Sequence, residues 1–155
     1  MIQQQRSRFI LYFLIFILIV FIDRYTKALA LQLTHEKVVN TFLSFILTFN
    51  RGINWGLFNN IDSSVFILIN CAIAVVVIAL FFYTFICFKQ HESIIPHVLV
   101  LAGAVSNYFD RLYYHGVIDF ILFSVGDWSW PAFNIADVAI VIGIGLLVLH
   151  SYKGR

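Results

Sequence analysis

The sequence predicts an all-α membrane protein: four transmembrane helices with a small β-rich extracytoplasmic subdomain and an interfacial loop. Three observations carry that expectation. Of the 155 residues, 61% are hydrophobic and only 12% are charged, whereas soluble domains carry roughly 25% charged residues. Four long stretches hold few or no charges, and each approaches the ~20 apolar residues that cross a hydrocarbon core of about 30 Å. Runs of that length suit helices better than short barrel strands. Between the first two stretches lies a segment rich in Phe, Ile, Leu and Thr and broken by glycines, a composition of strands and turns.

The first helix is expected over residues 9–33: residues 9–22 carry no charge, and apolar character resumes at Ala28 after "DRYTK". Arg6 and Arg8, the apolar run and "ALA" at 28–30 have the outline of a cleavable signal peptide. Asp23, Arg24 and Lys27 would then fall between the apolar run and the cut, so the segment is read as a retained helix. A β-rich outer loop follows over residues 34–62, with breaks at Gly52 and Gly56 and aromatic residues crowding its end.

The second helix, residues 63–88, has no charge at all. Its Cys71 and Cys87 stand about 24 Å apart along a helix, too far to bridge, and read as packing residues. The third helix, residues 94–112, starts around Pro96, where a proline in the first turn costs little. The connection over about 112–130 holds Tyr113, Tyr114, Trp128 and Trp130 and has interfacial character. The fourth helix, residues 131–150, carries one acid, Asp137. The whole of 1–155 is read as a single membrane-embedded domain.

An even number of spans puts both termini on one side. Arg6, Arg8, Lys89, Lys153 and Arg155 lie there, against Arg24, Lys27, Lys37 and Arg51 opposite, a narrow margin for cytoplasmic termini. The net charge of +2 gives no ground for a nucleic-acid partner.

The acids point to chemistry, because an ionisable group at membrane depth is expensive and therefore a functional candidate. Asp62 reads as a cap or interface residue, and Asp127 as a loop residue that reaches water. Asp23 and Lys27 have the spacing and order of an i,i+4 ion pair. On the third helix Gly103, Asn107 and Asp110 share a face. Arg111 beside them would either pair with Asp110 or present its fork to a substrate carbonyl.

Asp119 and Asp137 have no cation within four positions. Asn134 stands one turn before Asp137 and can hold its carboxylate. Apolar neighbours disfavour two ionised carboxylates, so one of the pair should keep its proton. If the ends of helices three and four meet, an ionised acid and a neutral one can share a water, which is the arrangement of an aspartic peptidase. Among rival chemistries, His35, His91, His97, His115 and His150 show no ligand spacing, so neither metal nor cofactor is expected. No G-x-S-x-G is present, though a Ser-Lys arrangement using Lys27 stays open.

Four blocks in order, spanning nearly the whole chain, resemble the bacterial lipoprotein signal peptidases, or signal peptidase II. "DRYTK" is similar to that family's D-x-x-x-K, and "NRGINWG" to its N-x-G-x-x-[FW]-[GS]. "AGAVSNYFDRLYYHGVIDF" resembles G-G-A-x-G-N-x-x-D-R followed by G-x-V-x-D-F, and "FNIAD" its F-N-x-A-D. The resemblance implies a catalytic dyad of Asp119 and Asp137. It implies that Asn50, Gly52, Asn107, Arg111 and Asn134 line or support the substrate pocket, and that Asp23, Lys27 and Asp110 hold it together. Arg24 stands where the family usually has Gln, Ala102 and Ser106 where it has glycines, and Asn54 where a small residue is common.

The implied activity is an intramembrane aspartic endopeptidase of the bacterial inner membrane, with its site near the outer face. It would act as a monomer, surrounded by membrane lipid, and cut diacylglyceryl-modified prolipoproteins just before the lipidated cysteine. The alternative of another class is a small proton-coupled transporter relaying protons through Asp23, Asp119 and Asp137. Such a protein should show broken helices or an inverted repeat, and neither is evident. A non-catalytic membrane assembly factor is the third reading, and it would tolerate Asp119→Asn.

Overall fold

The computed structural model describes residues 2–51 and 63–153, and the expected positions Gly52, Asn54, Gly56 and Asp62 lie outside them. Among the described residues, four long helices, α1 (Ile2–Ala30), α2 (Ser63–Lys89), α3 (Ile95–Tyr114) and α4 (Ile135–Lys153), pack with four strands. Three of them, α1, α2 and α4, are long and apolar enough to cross a membrane. Their outward side chains are bare: Phe21, Leu68, Val76 and Val141 are all exposed. Apolar surface on that scale is untenable in water and is what lipid covers. The chain is a membrane protein.

Helix α3 is the hub, packed against α1, α2 and α4. Its most extensive contact is with α4, and small residues allow it. A Cβ on Gly103 would lie on the carbonyl oxygen of Ala136 and 2.8 Å from Ile140; one on Gly143 would lie 2.7 Å from the Pro96 carbonyl oxygen. Gly103→Val is therefore expected to push α3 and α4 apart and cost about 1–3 kcal/mol, read as a lower unfolding temperature in detergent. An unchanged temperature would mean that the helices do not depend on this contact.

The strands form one antiparallel sheet in the order β1-β2-β3-β4, with β1 at Lys37–Val38, β2 at Leu43–Asn50, β3 at Val117–Val125 and β4 at Trp128–Ser129. The connection expected as an interfacial segment thus supplies half of the sheet. In the β2–β3 pair Thr48 faces Asp119 and Asn50 faces Val117, with an irregularity between Phe45 and Thr48. Gly126, at φ 60°, makes the tight β3–β4 turn that a side chain would resist. Phe133 bridges to Ile121, so the backbone before α4 is extended and that helix starts at Ile135.

Beneath the sheet, Ala30, Ile118 and Phe120 form a core with Leu33, Phe45 and Ile135. A second core, Tyr12, Cys87, Ile94 and Val98, lies by the α2–α3 connection, where the Arg8 guanidinium donates to the Glu92 carbonyl oxygen. The start of α1 and the α2–α3 connection therefore share one end of the bundle, and the sheet covers the other.

Candidate active site

The start of α4 fixes the first acid. Asn134 precedes the helix and Asp137 is its third residue, and the two close a reciprocal cap. The Asp137 amide donates to Asn134 Oδ1 at 2.9 Å, and the Asn134 amide donates to Asp137 Oδ2 at 3.2 Å. Between them the Ala136 amide donates to Asp23 Oδ1 at 2.8 Å. First-turn amides that would be orphaned are satisfied by carboxylate and amide oxygens, and the helix dipole favours negative charge there.

Asp119 comes from β3, not from the end of a helix. It is 2% exposed. Asn134 Nδ2 donates to its Oδ1 at 2.7 Å and Asn50 Nδ2 donates to its Oδ2 at 3.1 Å. Because Asn134 Oδ1 is committed to the Asp137 amide, its NH2 group must face Asp119, and one asparagine orients both acids. Burial, reinforced by the charge of Asp137, pushes the Asp119 carboxyl up from 3.8 to about 7, against the lowering effect of the two asparagine donors. Both acids line a cavity of ≈260 Å³, with Asn50, Ile73, Asn107, Tyr108, Arg111, Val117 and Ile140 in its wall.

Behind the acids sits a buried ion cluster. Lys27, fully buried, places Nζ 2.7 Å from Asp23 Oδ2 and 2.7 Å from Asp110 Oδ2, and donates to Asn107 Oδ1 at 2.8 Å. All three ammonium donors are used. A cation on Oδ1 fixes the Asn107 amide, so its Nδ2 donates to Asp137 Oδ1 at 2.8 Å. The cluster thereby dictates which way the donor beside Asp137 points.

The i,i+4 pair of Asp23 and Lys27 forms, with the Lys27 head enclosed by acids, and one of the sequence alternatives for Arg111 falls. Asp110 pairs with Arg24 at 2.5 Å and with Lys27, rather than with its neighbour Arg111, which donates to the Arg51 carbonyl oxygen at 3.5 Å. Ser106, which stands where the resembled family has glycine, donates its hydroxyl to Asp23 Oδ2 at 2.6 Å. Its place on the Gly103, Asn107 and Asp110 face was the available signal. Among the described residues no group of His, Cys, Asp and Glu could hold a metal ion.

The family described as signal peptidase (SPase) II matches residues 15–153. A lipoprotein signal peptidase of Thermodesulfovibrio yellowstonii is 40% identical over 139 residues, 88% of this chain and 90% of that protein. One from Francisella tularensis subsp. novicida is 34% identical over 145 residues, 90% of each. A solved bacterial membrane enzyme shares the fold, with a TM-score of 0.73 over 93% of this chain and 94% of its own, at 24% identity. A match that begins inside α1 and ends in α4 takes in every residue of the cavity and the ion cluster behind it, and the chain belongs to the signal peptidase II family.

Proposed function

We propose that the chain is an intramembrane aspartic endopeptidase of the bacterial inner membrane that cuts diacylglyceryl-modified prolipoproteins just before the lipidated cysteine. One observation carries the reading: two acids from different elements, Asp119 and Asp137, line one cavity and are joined through Asn134. The names of the relatives support the substrate class. The ionised member of the pair takes a proton from water, whose oxygen attacks the peptide carbonyl. The neutral member protonates the carbonyl oxygen, and a proton then passes to the leaving amine. No covalent intermediate is needed.

In this reading Asn50, Asn107 and Asn134 orient the acids, and Arg111 offers its guanidinium to substrate from the cavity wall. Gly52, outside the described residues, belongs to the segment that follows Asn50. Asp23, Lys27 and Asp110 brace the pocket. Helix α3 is the fourth crossing, its polar residues shielded from lipid by the other three helices, so that a single domain spans the membrane four times. Both termini are then cytoplasmic, the sheet and cavity lie at the outer face, and the enzyme works as a monomer with lipid and prolipoprotein as its partners.

The test is incubation of the purified protein in detergent with a diacylglyceryl-modified prolipoprotein, resolved on a gel. Cleavage is expected with modified substrate, and intact substrate after incubation with folded protein would sink the reading. The rate should also fall as the pH rises through about 7, where Asp119 loses its proton and the pair no longer holds one acid and one base. Stability declines in the same direction. Between about pH 4 and 7 the Asp119 carboxyl binds more protons in the folded state than in the unfolded chain, so raising the pH across that window removes its contribution to stability. A rate that stays level through pH 7 would contradict this.

A further inference from the structure

Asp23, Asp110 and Lys27 are all fully buried. Two carboxylates against one ammonium leave this trio with one uncompensated negative charge, next to a dyad that must itself hold one negative charge. Buried charge of that kind is costly unless paired. The missing cation enters from the side: Arg24, one residue after Asp23 and with its side chain 29% exposed, places Nη1 2.5 Å from Asp110 Oδ1. The same Nη1 donates to the Ser106 carbonyl oxygen at 3.3 Å, which ties it to α3 twice.

We propose that Arg24 is a positioning residue for the dyad: by neutralising Asp110 it balances the buried cluster and leaves Lys27 to hold the Asn107 amide, and through it Asp137. The inference rests on the aspartic-dyad reading. The contacts run in an unbroken line. Arg24 takes Oδ1 of Asp110, Lys27 takes Oδ2, Lys27 also takes Asn107 Oδ1, and Asn107 Nδ2 donates to Asp137. With Arg24 uncharged, Lys27 would be drawn towards the two carboxylates, and its hold on Asn107 would loosen.

The second effect is electrostatic. Among the described residues the charged and titratable groups around the dyad are Asp23, Arg24 and Lys27 on α1, Arg51 after β2, and Tyr108, Asp110 and Arg111 on α3; α2 contributes apolar Ile73 to the cavity. Deleting only the charge of Arg24 makes this surround more negative, which favours protonated carboxyls in the dyad. Both limbs of the pH–rate profile should move to higher pH.

The experiment compares cleavage of diacylglyceryl-modified prolipoprotein by wild type, Arg24→Gln, Arg24→Lys and the double variant Arg24→Gln with Asp110→Asn, each as a pH–rate profile and a thermal unfolding curve in detergent. For Arg24→Gln the profile is expected to rise by roughly half to one pH unit, less than a contacting charge would cause, with kcat falling several-fold and KM little changed. Arg24→Lys and the double variant, in which the cluster is again neutral, should return the profile to its wild-type position. A lower unfolding temperature with an unmoved profile would make Arg24 merely structural and overturn the proposal. If Arg24→Gln does not fold, the other two variants decide: either profile displaced from wild type overturns the proposal. A folded wild type that cleaves nothing would instead overturn the underlying dyad reading.

Discussion

Asp119→Asn and Asp137→Asn are each expected to lower kcat/KM for the lipid-modified substrate by about 10³-fold or more, with the protein still folded. The substitution keeps shape and removes ionisation. An amide in either position can neither take a proton from water nor return one to the leaving amine, and the surviving acid has no partner of opposite protonation state. The loss should be as large in each single variant as in the double, because the two acids act as a unit. Thermal unfolding serves as the control, since each new amide presents one NH2 group to the donors that formerly met carboxylate oxygens. Cleavage persisting in one variant would remove that aspartate from the chemistry and direct attention to Asp110 or Asp23.

The second large effect is on stability. Lys27→Met is expected to cost about 3–5 kcal/mol, because it takes the ammonium from between two buried carboxylates and leaves Asp23 without a cation. The hydroxyl of Ser106 and the amide of Ala136 still reach Asp23, but neither carries charge. Combining Lys27→Met with Asp23→Asn should recover much of the loss, since Asp110 keeps Arg24 and the cluster is neutral again. An unfolding temperature unchanged in Lys27→Met would mean that the cluster contributes nothing to holding the helices together. Asn107 loses its fixed orientation in both variants, so activity should stay low even where stability returns.

The long helices were legible because lipid demands long uncharged runs, and α2 is almost nothing else. Hydropathy marks where lipid ends, however, and not where a helix ends. Helix α1 starts at Ile2, well before the apolar run, because Gln, Arg and Ser do not break a helix in water. Strand β3 was not legible. "VIDFILFSV" is buried on both faces at its start, so the alternation that signals a half-exposed strand is missing, and its partner β2 lies far away in sequence.

At the site, the setting of Asp119 and Asp137 singled them out, as did the tie between Asn134 and Asp137, because a helix start is a local event. The Arg24–Asp110 pair was hidden. Adjacency offered Arg111 as one possible partner of Asp110, but neighbouring side chains on a helix point about 100° apart. Asp110 instead faces α1, and only the packing of α3 against α1 brings Arg24 to it.

The contacts that build the cavity also set a timetable. Asn50 reaches Asp119 across 69 residues, and Ala136 reaches Asp23 across 113. During synthesis β2 leaves the ribosome long before β3 exists, and Asp137 follows later still, carried by the last helix. Until that helix is in place the two acids have no common asparagine, and Asp23 lacks its tie to the first turn of α4. Under the proposed mechanism the growing chain therefore acquires its activity in one late step, when the last helix is in place.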